Sequence, residues 1–347
     1  MNNIIIFIGL FFVLWIGRSI FIPLLIATFL WYLINAIASY YRKVLPFKHI
    51  INFKHCFWVN FFNMTSVLLS VLTLFGIIYL FITQVNPMFS ELVNSLPEIQ
   101  QRLVNLLNYI SLQTGLKLDS NILPSFTTIA ANIGASAANI ATSIGMIFIY
   151  MIFLFVEQST FNKKLDNLFT NKHKTQKANY IIESVDKNMK QYLFMKTFIS
   201  GATGICAYIW LKMIGLEFAG VWAFVMFIMN YIPTIGSFIA CGLPILYAMI
   251  THDTIQIPLL TAGGLIGLEI IFGNILDPKL MGKTLNLSTL AILINLVFWG
   301  LIWGVAGMFF SVPILTAIYI ITAQFDSTRW IAVLLSADGN IPDKKED

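Results

Sequence analysis

The chain has 347 residues, of which 58% are hydrophobic and only 11% are charged, with a net charge of +5. A soluble domain carries about 25% charged residues, so one water-soluble core is excluded, and the mean hydropathy of +0.81 points to a bilayer. The Lys and Arg are gathered in a few polar segments, which suits orientation in a membrane and not a nucleic-acid surface.

The first apolar block, Ile4 to Tyr41, is too long for one crossing, and Gly17, Arg18, Ser19 and Pro23 are expected to divide it into two spans. Its start lacks a basic lead and a small-residue cleavage site, so it reads as a retained span and not a signal peptide. The loop "YRKVLPFKHIINFKH" follows, with Arg42, Lys43, Lys48 and Lys54 and no acid. The positive-inside rule puts it in the cytoplasm. A third span, Phe57 to Thr83, leads outside to a polar region, Gln84 to Asn139, with two basic and three acidic residues. There Leu92, Leu96, Ile99, Leu103, Leu106 and Ile110 recur at steps of four and three, the spacing of a helical seam. Ser95 and Glu98 are placed like a capping box with Pro97 in the first turn, which predicts a helix start there. The seam fits a helix resting on the membrane or on other spans, with a subunit contact as the alternative.

Phe126 to Gln158 reads as one long helix whose fourth span, Ile140 to Val156, returns inward. Ala130, Gly134, Ala138 and Thr142, and likewise Ile133, Ala137, Ala141 and Gly145, lie four apart, which lets helices approach closely in lipid. The next polar stretch holds seven lysines against three acids and is again assigned to the cytoplasm. Cys56, Cys206 and Cys241 have no metal or disulfide spacing and read as packing residues. A fifth span runs from about Lys196 to Leu211.

The stretch "NYIPTIGSFIACGLPILYAMI" then breaks the pattern. Gly220 to Ile250 would make roughly 46 Å of continuous helix, against a hydrocarbon core of about 30 Å. Pro233 and Gly236 cut it into two pieces, each too short to cross alone. A re-entrant hairpin satisfies both facts, and it brings non-helical backbone to a depth where that is tolerated only against protein or a cavity. After a seventh apolar segment, Ile257 to Ile275, the chain repeats the device: Leu287 to Ile321 is again too long, with Gly300, Gly304 and Gly307 at its middle. "PILYA" at Pro244 and "PILTA" at Pro313 mark a candidate internal repeat of span, charged turn and broken hairpin. If the first hairpin opens outward, the second opens inward, and broken helices in inverted repeats are the pattern of secondary transporters.

"NYIPTIGSFIACGLPIL" and "NILDPKLMGKTLNL…LVFWGLIWGVAGMFFSVPIL" resemble the two signature regions of the autoinducer-2 exporter family, the PerM-like permeases. The similarity is densest from Phe194 to Ile321; Thr289 departs from it, since many members carry Pro there. The resemblance implies an oligomeric transporter of about eight transmembrane segments. It also implies export of a signalling molecule such as autoinducer-2, or sodium–proton exchange.

The expected architecture is therefore an all-α polytopic membrane protein. Residues 1–83 form three spans, 84–158 an extracytoplasmic helical segment plus the fourth span, and 159–192 a cytoplasmic helical segment. Residues 193–325 form a transport core with two broken hairpins in an inverted repeat, and 326–347 a cytoplasmic polar tail. It is placed in the bacterial cytoplasmic membrane with both termini inside. Glu269 is the one acid in the middle of a span, a structural carboxyl or a cation or proton site. Asp277 is expected to cap or pair with Lys279 or Lys283, or to gate the inner mouth; Asn230, Asn274 and Asn295 are amides at apolar depth. Pro233, Gly236, Gly304, Gly307 and Pro313 shape the backbone of the pathway. No nucleotide-binding loop, nucleophile–base set or metal cluster is found, so neither an enzyme nor a cofactor is expected. Three readings remain: a permease for a small polar solute, a sodium or other cation–proton antiporter, and a non-transporting membrane scaffold. The expected partners are lipid, a solute, a coupling ion and further copies of the chain, with no nucleic acid.

Overall fold

The computed structural model describes residues 9, 11–44, 56–114, 126–168, 172–281 and 286–341. The helices are α1 (Arg18–Val44), α2 (Cys56–Thr114), α3 (Phe126–Leu168), α4 (Lys172–Met213), α5 (Ala219–Met229) and α6 (Ile235–Thr251). There follow α7 (Gln256–Glu269), a π-helical stretch (Ile270–Leu276), α8 (Asp277–Met281), α9 (Thr289–Ala323) and α10 (Arg329–Leu335). No β-strand occurs among the described residues; an isolated bridge joins Leu287 to Ser336.

Among the described residues, five helices are long and apolar enough to cross a membrane: Arg18–Lys43, Met64–Gln113, Thr175–Met213, Gln256–Leu280 and Thr289–Ala323. Outward helix faces are oily. On α3, Ile149, Ile152, Phe153 and Val156 are all more than half exposed, a contiguous apolar surface that suits acyl chains and not water.

Two boundaries differ from those expected. Gly17 makes a turn after a short helical run over residues 11–16, but α1 continues through Pro23, its sixth residue, where the missing N–H removes a single i→i−4 bond. No helix starts at Ser95 either. α2 is continuous for 59 residues with Pro87 and Pro97 inside it. The Ser95 hydroxyl donates back to the carbonyl of Leu92 at 2.9 Å, and Glu98 pairs with Arg102 one turn on. Serine and glutamate three apart are thus satisfied within an uninterrupted helix. The single helix Phe126 to Gln158 is observed and runs ten residues further. The side chains of its small-residue rows before residue 143, the loop 45–55, Lys283, and the chain start through residue 8 lie outside the described residues.

The chain divides into two compact units that interleave in sequence. One is Met1–Ile77, Ile144–Thr197 and Leu280–Asp347; the other is Ile78–Ser143 and Phe198–Lys279. In the first unit, Trp299, Ile302 and Trp303 of α9 pack against Leu14, Phe21 and Leu25, and the Trp303 indole donates to the Leu14 carbonyl at 3.0 Å. In the second, Leu211 of α4, Trp222 and Met226 of α5, Ala240 and Tyr247 of α6, and Leu265 of α7 form one buried cluster. Three seam residues of α2, Leu92, Leu96 and Ile99, pack on that cluster. The proximal half of the seam therefore serves other helices of its own unit.

Candidate functional site

α5 and α6 form a helical hairpin in the second unit, broken where the sequence interrupts itself. α5 ends at Met229, and α6 begins after Thr234, whose φ of 61° and ψ of −60° lie outside the regions a β-branched residue ordinarily adopts. Pro233 brings no N–H to the turn, and its carbonyl accepts from Ile235 at 2.6 Å. Gly236 is a requirement of close approach: a Cβ there would stand 1.8 Å from the Met229 carbonyl oxygen. Asn230 caps α5, is buried, and points its amide towards the Thr203 hydroxyl at 3.5 Å.

α9 in the first unit is a second hairpin written as one helix. The side-chain amide of Asn295 donates to the carbonyl of Ser311 at 2.7 Å. Sixteen residues of straight helix would hold those groups roughly 24 Å apart, so the helix folds back on itself. The fold-back occurs at Gly304, with φ 63° and ψ −140°, a conformation open to glycine alone. Three residues on, a Cβ at Gly307 would stand 1.9 Å from the carbonyl oxygen of Trp299. The Asn295 oxygen in turn accepts from the Trp299 indole at 3.1 Å, one turn further along the same arm, so both ends of this amide are occupied.

The two hairpins are built alike. In each, one positive-φ residue makes the break (Thr234, Gly304), and a glycine shortly after it touches a main-chain carbonyl of the first arm (Met229, Trp299). A proline then lies inside the second arm (Pro244, Pro313). Each of these pairs is about 70 residues apart in the sequence.

Glu269 is the last residue of α7, where the helix widens into the π-helical stretch, and it is partly buried. Its carboxylate accepts a hydrogen bond from the hydroxyl of Ser237, in the first turn of α6. The predicted acid is thereby joined to the break of the first hairpin. A π-helical turn is uncommon and often sits at functional positions. Asn274 lies on that stretch but is exposed, and Asp277 follows it at the start of α8, which continues the same helical run, with its N–H bonded back to the Phe272 carbonyl.

The structure thus groups Asn230, Pro233, Gly236 and Glu269 at one hairpin, and Asn295, Gly304 and Gly307 at the other. Asn274 and Asp277 lie further along the chain than the Glu269–Ser237 contact. Sequence reasoning passed over Ser237, Thr203 and the partners of Asn295. It also passed over Lys196, a lysine only 7% exposed on α4. Ser237 follows "PTIG" directly, and that position was its available signal.

A family model described as AI-2E family transporter matches residues 4–326. The AI-2 transport protein TqsA of Escherichia coli is 28% identical over 96% of this chain and 95% of its own length. A putative transport protein of Haemophilus influenzae is 30% identical over 76% of this chain and 74% of that protein. A further one, from Borreliella burgdorferi, is 31% identical over 55% of this chain and 52% of that protein.

Proposed function

The chain belongs to the AI-2E transporter family and is a membrane permease of that kind; from that premise we propose that it is a secondary transporter exporting a small polar solute. Autoinducer-2 is the first solute to test, since the TqsA relative carries AI-2 transport in its name. The observation that carries the mechanism is the pair of hairpins, each breaking its helix with a positive-φ residue and closing it with a glycine on a carbonyl. Such backbone has polar groups outside the helical ladder, and in a bilayer it persists only against protein or a hydrated cavity. Each break is read as lining the solute path. The path residues are Asn230, Pro233, Gly236, Glu269, Asn274, Asp277, Asn295, Gly304, Gly307 and Pro313.

The finer architecture proposed is eight transmembrane segments in the bacterial cytoplasmic membrane, with both termini cytoplasmic and two re-entrant hairpins in an inverted repeat. The recurrence of break, glycine and proline at an interval of about 70 residues supports the repeat. Arg102 of α2 donates to the carbonyl of Thr251 at the end of α6 at 3.0 Å, which supports an outward opening of the first hairpin if Gln84 to Asn139 is outside. Leu106 of the distal seam, with the exposed Tyr109 and Leu112 beyond it on α2, is the surface offered for contact between copies.

The second reading, cation–proton antiport, is favoured by one observation: the Glu269–Ser237 hydrogen bond puts an ionisable group at a hairpin break. Purified protein in liposomes, loaded with autoinducer-2 and given a proton or sodium gradient, separates the two. Gradient-dependent loss of autoinducer-2 supports export. Sodium-for-proton exchange without autoinducer-2 movement favours antiport, and neither flux contradicts both.

A further inference from the structure

The residues after α9 are wound into the ends of the second hairpin. On its entering side, the Ser288 N–H donates to the Leu335 carbonyl at 2.8 Å and the Ala337 N–H to the Asn286 carbonyl at 3.0 Å. On its leaving side, Leu315, Tyr319, Ile320 and Ala323 are buried with Leu287 and Ala332, and the Tyr319 hydroxyl donates to the Asn340 carbonyl at 3.2 Å. One tail segment therefore holds both ends of α9. The polar centre of the contact is Asn286, just before α9, a non-glycine residue with φ 36°. Asparagine tolerates that region better than most residues. Its amide donates to Asp338 Oδ1 and to the Asn340 carbonyl, both at 2.8 Å. Asp338 also accepts from the Asn340 main-chain N–H at 3.0 Å and side-chain amide at 2.9 Å.

We propose that Asp338 is a positioning residue for the second hairpin: by holding Asn286 and Asn340 it closes a clasp around both ends of α9 and leaves Gly304 as the point where the hairpin bends. Hydrogen bonds from the Asn286 side chain, then the Asn340 side chain and main chain, hold the Asp338 carboxyl down to about 2. The carboxylate is therefore charged across the cellular pH range, and the clasp is a fixed mount, not a pH switch. Helix segments open locally where their end contacts are few. With the arm ends tied, opening is confined to the tip. The clasp requires α9 to be a hairpin, which the Asn295–Ser311 contact supplies, and does not depend on what is transported.

The test is hydrogen exchange read by mass spectrometry on the full-length protein in lipid nanodiscs. Asp338→Ala is expected to speed amide exchange by roughly threefold or more, a figure discounted for a solvent-exposed carboxylate, at both 286–294 and 316–323. Exchange in 219–251 should stay unchanged. Asp338→Asn, which keeps an acceptor oxygen, should restore part of the protection. Where Asp338→Ala does not accumulate in membranes, Asn286→Gly, which keeps the backbone conformation and removes the amide, carries the same expectation. Faster exchange confined to 336–341, or at one end of α9 only, overturns the clasp.

Discussion

The side-chain amide of Asn295 donates to the main-chain carbonyl of Ser311 across 2.7 Å, which ties the first arm of α9 to the second. The same side chain accepts from the Trp299 indole on its own arm, so a ligand could claim Asn295 only by displacing one of these two bonds. Asn295→Leu should therefore destabilise the hairpin by about 1–3 kcal/mol, the cost of leaving a partly buried carbonyl and indole unsatisfied. Thermal unfolding in detergent measures it. A midpoint equal to that of the parent protein would make Asn295 available again as a solute-binding amide.

Glycines within the same hairpins should behave in opposite ways. Gly236→Ala and Gly307→Ala place a methyl within 2 Å of a main-chain oxygen, and backbone must move to admit it. Gly242, in the middle of α6, has open space where a Cβ would stand, with nothing within 4 Å. Gly242→Ala should be neutral or stabilising by about 0.5–1 kcal/mol, as for an ordinary helix glycine. Expression level and unfolding midpoint of the three variants give the comparison. Equal effects would mean that the close approaches do not exist in the membrane.

The breaks were legible because proline and positive-φ glycine act locally: Pro233 and Gly304 disturb the helix by their own covalent structure. What they touch was not legible. Ser237 and Glu269 are 32 residues apart, and only the packing of α6 on α7 brings them together. Ser95 and Glu98 misled for the converse reason. Their spacing fits a helix start and a helix interior equally, and the continuous apolar seam through Leu92 decided for the interior. The short α10 was missed because seven residues are too few for a periodicity to register.

Topology has its own check. With Gln84 to Asn139 outside, Ser111→Cys in a background without Cys56, Cys206 and Cys241 should react with an impermeant maleimide in intact cells. Lys187→Cys, on the lysine-rich segment, should react only after permeabilisation. The reverse pattern would invert the orientation drawn from the positive-inside rule.

Glu269→Gln separates the two transport readings. The amide still accepts from Ser237, so the contact and the fold should survive. Solute movement down its own gradient should be kept. Proton- or sodium-driven flux in liposomes should fall by at least about tenfold if the carboxylate carries the coupling charge. Unchanged driven flux would remove Glu269 from the mechanism.

A solute path through the two helix breaks requires that both breaks open to water in the membrane. Thr234→Cys, at the break of the first hairpin, and Val305→Cys, next to that of the second, are made singly in the cysteine-free background. In lipid, each should react with a small water-soluble methanethiosulfonate. The rate should be well above that of Phe153→Cys on the apolar face of α3, and bound solute should slow it. If both remain as unreactive as Phe153→Cys while the protein still transports, the breaks are packing features and the solute takes another route.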